Sequence, residues 1–218
     1  MRFLGVLMLQ TRFPRLPGDV GHPGSFAMPV RHAMVAGATP HKVVREADSA
    51  LLTAFVAAGQ ALVADGAAAL TTSCGFLARW QAQLQAALPV PVWTSSLLAL
   101  AELGPQRPGV VTVDAAALNA QVLRAAGAPP GVPVRGIPPD SDLARTLLDD
   151  LPALDAAAAQ RTVVETAIAL CRDHPDTGAI VLECTNMPPY RAAVARACGR
   201  PVFDIITLVH SRWSGLGR

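Results

Sequence analysis

Two cysteines stand in similar surroundings in the two halves of this 218-residue chain, and their residue type and position suit acid–base chemistry. Cys74 follows the largely apolar run 67–73, and Cys184 follows the apolar run 179–182 and Glu183. After each cysteine comes a stretch typical of a helix, and then a short apolar segment that opens with Pro-Val. The pattern predicts a duplicated strand–cysteine–helix–strand unit.

A thiol at the end of a strand and the start of a helix meets free backbone N–H groups and the positive end of the helix dipole. Both are expected to lower the pKa of the thiol below its free value of about 8.5. If two lobes face each other, Cys74 and Cys184 flank one substrate. One thiolate then removes a proton from carbon while the opposite thiol delivers a proton to the other face. We predict that these two cysteines are the catalytic residues of a reaction that inverts a stereocentre without a cofactor.

Small polar residues beside each cysteine can bind a substrate carboxylate through hydroxyl groups and backbone N–H groups. Ser73 and Thr185 are also suited to capping helices, and the two roles are compatible. The predicted substrate-binding residues are Thr72, Ser73, Gly75, Phe76, Thr185 and Asn186.

The other two cysteines, Cys171 and Cys198, are interpreted as packing residues, because cysteine is among the most buried residue types. No Cys-x-x-Cys pair and no histidine spacing typical of a metal site occurs, so no metal is expected. Glu183 is expected to point away from the neighbouring thiol and to have a structural role. Asp19, in the loop 10–25, is interpreted as a solvated charge.

The elements that position these residues are strands alternating with helices, which predicts an α/β fold with parallel sheets and right-handed crossovers. The repeat predicts two pseudo-symmetric lobes with the active site in the cleft between them. The first lobe is expected over residues 1–93, joined by a C-terminal helix 205–218, and the second over 94–204. Within this scheme a single helix is predicted over 43–65. Asp114 is predicted to cap a helix that runs to residue 126.

Composition excludes several classes of protein. Hydrophobic residues make up 51% and charged residues 16%, values that do not suit a disordered chain. The net charge of +2, without any basic run, argues against nucleic acid as a partner. No apolar stretch reaches the roughly 18 residues of a spanning helix, so no membrane partner is expected. The apolar start of the chain has no following cleavage site and is interpreted as a buried first strand. The four cysteines are too few for a disulfide scaffold, and a cytoplasmic location is expected.

The pair of elements Thr-Ser-Cys-Gly (72–75) and Glu-Cys-Thr-Asn-Met-Pro (183–188) resembles the aspartate/glutamate/hydantoin racemase superfamily. The resemblance implies two similar α/β lobes and a cofactor-independent, PLP-independent isomerase of amino acid metabolism. It implies that Cys74 and Cys184 transfer a proton at the carbon next to the carboxylate of an amino acid or related small molecule. A homodimer is a further expectation, although no stretch of sequence marks an interface.

The chain departs from glutamate racemases at three places. After the first strand they carry Asp-Ser, whereas residues 10–12 of this chain are Gln-Thr-Arg. After the first cysteine they carry Asn-Thr, whereas this chain has Gly75-Phe76. Two residues after the second cysteine they carry His, whereas this chain has Asn186. Glutamate is therefore not the expected substrate. Two alternatives stay open: an arylmalonate-type decarboxylase, which needs only the second cysteine, and a non-catalytic small-molecule binding protein. Phe76 and Met187 form either an apolar wall of the site or ordinary helix packing.

Overall fold

The computed structural model of the chain describes residues 2–216. Two four-stranded, all-parallel sheets form its framework, with strand orders β2-β1-β3-β4 and β6-β5-β7-β8. The strands are β1 Phe3–Leu9, β2 Val30–Val35, β3 Ala67–Thr72, β4 Val92–Trp93, β5 Pro108–Thr112, β6 Val134–Gly136, β7 Ala179–Leu182 and β8 Val202–Phe203. The second sheet repeats the strand order of the first, which confirms the predicted α/β fold class of two similar parallel-sheet lobes.

Within residues 2–216, eight α-helices flank the sheets, together with shorter 3₁₀ and π turns. The helices are α1 Leu51–Ala64, α2 Gln81–Ala87, α3 Leu100–Leu103, α4 Ala120–Ala125, α5 Asp142–Leu148, α6 Ala156–Asp173, α7 Arg191–Cys198 and α8 Ile205–Gly215. The shorter turns are His41–Arg45, Gly75–Trp80, Ser96–Ala99, Gly104–Gln106 and Pro188–Tyr190.

Each sheet is built on a central strand that is apolar except for Thr112 at the end of β5. β1 pairs with β2 on one side and β3 on the other, and β5 pairs with β6 and β7 in the same way. Helices cover both faces of such strands, which favours apolar side chains, and nearly all of β1 and all of β5 is buried. The edge strand β2 is largely exposed and carries polar residues.

The two sheets fall within the predicted lobes 1–93 and 94–204, although the lobe boundaries themselves stay a prediction. The last helix, α8, contacts both halves of the chain. The ring of His210 packs edge-on against Phe26, with centroids 6.0 Å apart, and Arg212 donates to the backbone oxygen of Leu98. Residues 217–218 of the predicted helix 205–218, and residue 1 of the first lobe, lie outside the described residues.

The single helix predicted over 43–65 is wrong. A π turn, His41–Arg45, comes first, and Ala47 then adopts a left-handed conformation with φ of 53°. Asp48 accepts a hydrogen bond from the backbone N–H of Ala50, and α1 begins only at residue 51. A short polar side chain that bonds its own backbone two residues on competes with the helix, and this local competition breaks it.

The predicted role of Asp114 is also corrected. Its carboxylate accepts from the backbone N–H groups of Ala116 and Ala117 and closes a turn. The helix itself begins six residues later, where Asn119 caps α4 by accepting from the N–H groups of two residues in its first turn.

One glycine sets the start of the strand that leads to the first cysteine. Gly66 has φ of +100°, a conformation that other residues rarely adopt, and it turns the chain from α1 directly into β3. Over residues 2–216, none of the helices combines the length and the apolar character that crossing a membrane requires.

Candidate functional site

Both cysteines lie just beyond the carboxyl ends of equivalent strands, Cys74 after β3 and Cys184 after β7. They line one small pocket between the two sheets. Ligands of parallel sheets bind at this end of the strands. The pocket is lined by Leu9, Phe13, Pro40, Val44, Ser73, Cys74, Gly75, Phe76, Val113, Leu147, Leu148, Glu183, Cys184, Thr185 and Asn186. The duplicated unit therefore brings its two thiols to one site.

The loop between β1 and β2 reaches this site through Asp19, which is only 2% exposed. The Asp19 carboxylate pairs with Arg15 at 3.1 Å and accepts a hydrogen bond from the side-chain amide of Asn186. The backbone N–H of Val20 also donates to the carbonyl of Thr185. The interpretation of Asp19 as a solvated charge is wrong, because this loop folds back onto the second cysteine element.

Asn186 connects Asp19 to the second thiol. Its amide nitrogen faces Asp19, so its oxygen faces Cys184, whose thiol donates to that oxygen with an Sγ–Oδ1 distance of 3.6 Å. This chain of hydrogen bonds holds Cys184 as a protonated donor. Asn186 stands where glutamate racemases carry histidine, and its side-chain amide donates to Asp19 of the first loop.

Burial is the largest influence on the pKa values of the two thiols, and it raises both of them. Burial, followed by the nearby Glu183 carboxylate, raises the pKa of Cys74 to about 12; the backbone N–H of Phe76 and the cations Arg79 and Arg15 oppose this rise. Burial also raises the pKa of Cys184 well above its ordinary value, with Glu183 again the second cause. The expected lowering of the thiol pKa values is therefore wrong. The turns that follow the cysteines are too short to outweigh desolvation.

Glu183 directly precedes Cys184, lies against Gly75 of the first cysteine element and is fully buried. Its Oε2 accepts a hydrogen bond of 2.8 Å from the hydroxyl of Thr112, and burial raises the pKa of its carboxyl to about 7. Because Glu183 is one of the lining residues and affects the pKa values of both thiols, the expectation of a purely structural role does not fit its position.

Five of the six predicted substrate-binding residues line the pocket: Ser73, Gly75, Phe76, Thr185 and Asn186. Two of their hydroxyl groups already have partners in the protein. Ser73 accepts from the backbone N–H of Leu9 at 2.7 Å, and Thr185 donates to the carbonyl of Ser73 at 2.7 Å. Contact of these five residues with a substrate stays a prediction.

Thr72 lies outside the pocket lining, and its substrate-binding role also stays a prediction. Its hydroxyl donates to the backbone oxygen of Thr94 at 2.7 Å and lies 3.0 Å from the carbonyl of Cys74. The side chain thus supports the turn that carries the first cysteine.

Several lining residues were not identified from the sequence. Phe13 comes from the long first loop, and Leu147 and Leu148 come from the end of α5. Their apolar type is indistinguishable from core residues until the chain is folded. Of the two residues considered for an apolar wall, Phe76 lines the pocket, whereas Met187 is fully buried in the core. Among residues 2–216, no group of three or more His, Cys, Asp and Glu side chains is arranged to hold a metal ion.

No family model matches the chain. Curated relatives are similar along nearly all of it. "Dimethylsulfoniopropionate lyase 3" of Emiliania huxleyi is 33% identical over 98% of this chain and 59% of that protein. "Dimethylsulfoniopropionate lyase 7" of the same alga is 31% identical over 95% of this chain and 65% of that protein. The chain thus spans about three fifths of the length of these relatives.

Solved structures of low sequence identity share the fold. Allantoin racemase from Klebsiella pneumoniae superposes with a TM-score of 0.67 at 17% identity, covering 98% of this chain and 87% of the other. Unliganded arylmalonate decarboxylase superposes with a TM-score of 0.63 at 18% identity, covering 99% and 92%. A glutamate racemase from Francisella tularensis gives a TM-score of 0.61 at 14% identity, covering 99% and 80%.

Proposed function

The chain has the two-lobed α/β fold of the aspartate/glutamate/hydantoin racemase superfamily, and from this premise we propose that it is a carbon-acid enzyme. It removes a proton from the carbon next to a carboxylate in a small molecule, with Cys74 and Cys184 as its acid–base residues and without a cofactor. The observation that supports this most directly is the opening of both thiols onto one buried pocket.

We propose that the reaction is elimination from a sulfonium carboxylate. Two curated relatives, similar over 95–98% of this chain, are named dimethylsulfoniopropionate lyases. In this reaction a thiolate takes a proton from C2 of the substrate. The C–H electron pair forms the C2–C3 double bond, and the C3–S bond breaks with its electrons moving to sulfur. Neutral dimethyl sulfide leaves, acrylate remains, and the proton passes from the cysteine to solvent.

The charge of the pocket favours a cationic substrate. Both thiols are neutral because burial and Glu183 raise their pKa values, so a thiolate base forms only where a nearby positive charge lowers the thiol pKa. A positive sulfonium beside a thiol favours the thiolate and lowers the thiol pKa. None of the lining residues is Lys or Arg, and the lining includes Phe76, an aromatic side chain of the kind that attracts a cation.

The surroundings of the two thiols differ, and we propose different roles for them. The thiol of Cys184 donates a hydrogen bond to the side-chain oxygen of Asn186, which favours the protonated form, while the backbone N–H of Asn186 opposes this. At Cys74 the N–H of Phe76 and two nearby arginines favour the charged form. We therefore assign Cys74 as the base that removes the C2 proton. Elimination with a neutral leaving group requires one base, so Cys184 has the smaller part in it.

Racemisation is the second candidate, because a cysteine in each lobe suits a two-base exchange at a stereocentre. In this reaction one thiolate removes a proton from one face of the carbon and the other thiol delivers a proton to the opposite face. Both thiols are therefore required equally. An arylmalonate-type decarboxylation and simple ligand binding are the remaining alternatives, and each becomes an outcome of the test below.

The test is a substrate panel on the purified chain. Headspace gas chromatography detects dimethyl sulfide from dimethylsulfoniopropionate, and proton NMR in heavy water follows the hydrogen next to the carboxylate in amino acids, allantoin, hydantoins and arylmalonates. We expect dimethyl sulfide release that is lost in Cys74→Ser and retained in Cys171→Ser and Cys198→Ser. Exchange without dimethyl sulfide, requiring both Cys74 and Cys184, would establish a racemase instead. Loss of an arylmalonate that requires only Cys184 would establish a decarboxylase, and no turnover of any compound would leave a binding protein.

A further inference from the structure

Glu183 is a buried acid in which one carboxyl oxygen has a hydrogen-bond partner and the other has none among residues 2–216. The hydroxyl of Thr112 donates a hydrogen bond to Oε2 of Glu183 and accepts one of 3.4 Å from the backbone N–H of Asp114. Oε1 has no hydrogen-bond partner within residues 2–216, although it is completely buried. Buried polar atoms in proteins are nearly always paired, so an unpaired oxygen at the edge of a pocket points to a ligand.

Backbone geometry places this oxygen next to the first cysteine element. A Cβ added at Gly75 would overlap with both Oε1 and the carbonyl oxygen of Glu183. Only a glycine at residue 75 lets the carboxyl of the second lobe approach the turn that begins at Cys74. Glu183 therefore contacts the first lobe beside Cys74, and it directly precedes Cys184 in the sequence.

The charges around Glu183 favour its neutral form. Burial is the first cause of its raised pKa; Asp114, just after β5, adds to it, and the Thr112 hydroxyl and Arg79 oppose it. The thiols of Cys74 and Cys184 are the other titratable groups that face it. A carboxylate bound in the pocket adds a further negative charge and raises the pKa again. Because Oε2 is the acceptor for Thr112, the proton of neutral Glu183 belongs on Oε1.

We propose that Glu183 is a catalytic residue that binds the substrate in its protonated form, donating a hydrogen bond from Oε1 to the substrate carboxylate. The assignment rests on the proposed carbon-acid function. When a thiolate removes the adjacent proton, negative charge moves onto the carboxylate oxygens, and the hydrogen bond becomes stronger than in the bound substrate. Such a contact stabilises the transition state more than the ground state. A neutral acid does this without adding a charge that would repel the anion.

Two variants distinguish a neutral donor from a carboxylate. Glu183→Gln keeps an N–H donor in place of the O–H, and we expect its kcat/KM to remain within roughly tenfold of the unmodified chain. Glu183→Met removes the donor at similar size, and we expect kcat/KM to fall about 100-fold or more. Above pH 7 the ratio of the Gln variant to the unmodified chain should rise, because Glu183 loses its proton there and Gln does not. A Gln variant as inactive as the Met variant, or a fully active Met variant, would overturn the assignment.

A binding measurement separates this assignment from the proposed reaction. Calorimetric titration with propionate at pH 7.5, in buffers of different ionisation enthalpy, counts the protons taken up on binding. We expect uptake by the unmodified chain and none by Glu183→Gln. Uptake by a chain that turns over no substrate would keep the Glu183 assignment and reject the reaction. Absence of propionate binding, or binding without proton uptake, would contradict the role of Glu183.

Discussion

At the scale of single residues, the site depends on groups whose burial is set by other parts of the chain. The two cysteines were identified from the sequence because the duplicated pattern marks them. Asp19 was not identified, since a loop carboxylate is usually solvated, and only the fold shows that it pairs with Arg15 and Asn186. The raised pKa values of the thiols were not predicted either, because they depend on burial, which is a property of the folded chain.

We predict that Asp19→Asn loosens the first loop from the pocket. The change removes the charge that pairs with Arg15 and the acceptor that orients Asn186, so Cys184, now 7% exposed, becomes more accessible. Alkylation of Cys184 by iodoacetamide, followed by mass spectrometry, should be several-fold faster than in the unmodified chain. Asp140→Asn, at an exposed position, is the matched control and should leave the rate unchanged. Equal rates in both variants would show that Asp19 does not hold the loop.

At the scale of elements, apolar strands were predicted well and helix boundaries less well. Continuous apolar runs such as β1 and β5 have few alternatives to a buried parallel strand. The prediction of one helix over 43–65 is wrong because Asp48 accepts a local backbone hydrogen bond. The prediction of a helix capped by Asp114 is wrong because Asn119 caps the helix instead. Such local competition is decided by tertiary packing, which periodicity does not report.

The turn at residues 75–80 carries a prediction of its own. Gly75→Ala should destabilise the chain by about 1–3 kcal/mol and lower activity, because the new methyl group overlaps with Glu183 and forces the lobes or the carboxyl to shift. Urea denaturation and kcat/KM measure the two effects. Gly215→Ala, where an added Cβ meets no atom within 4 Å, is the control and should change neither. If Gly75→Ala matches this control, the close approach to Glu183 is not a constraint.

At the scale of the whole molecule, the two lobes are joined by hydrogen bonds at the same strand ends that form the pocket. The hydroxyl of Thr185 donates to the carbonyl of Ser73 at 2.7 Å, and the backbone N–H of Val20 donates to the carbonyl of Thr185 at 3.3 Å. The sequence predicted two similar lobes but not these bridges, since a buried hydroxyl and a capping hydroxyl look alike in a sequence. The predicted homodimer stays a prediction.

Thr185→Val tests the contribution of one bridge. It keeps the shape of the side chain but leaves the carbonyl of Ser73 buried without this donor, and we expect a loss of about 1–3 kcal/mol in the free energy of unfolding. Thr185→Ser keeps the hydroxyl and should recover most of that loss. Thr53→Val, on the exposed face of α1, is the control and should have little effect. A Thr185→Val variant as stable as this control would show that the bridge contributes nothing to stability.

The most direct test of the account is a kinetic isotope measurement on dimethylsulfoniopropionate. Release of dimethyl sulfide is followed with ordinary substrate and with substrate deuterated at C2, for the unmodified chain, Cys74→Ser, Cys184→Ser and the double variant. The account predicts slower release from the deuterated substrate and a fall of roughly 100-fold or more in Cys74→Ser. Cys184→Ser should lose less, because its thiol is the acid and not the base. Full turnover by the double variant would contradict proton transfer by these thiols.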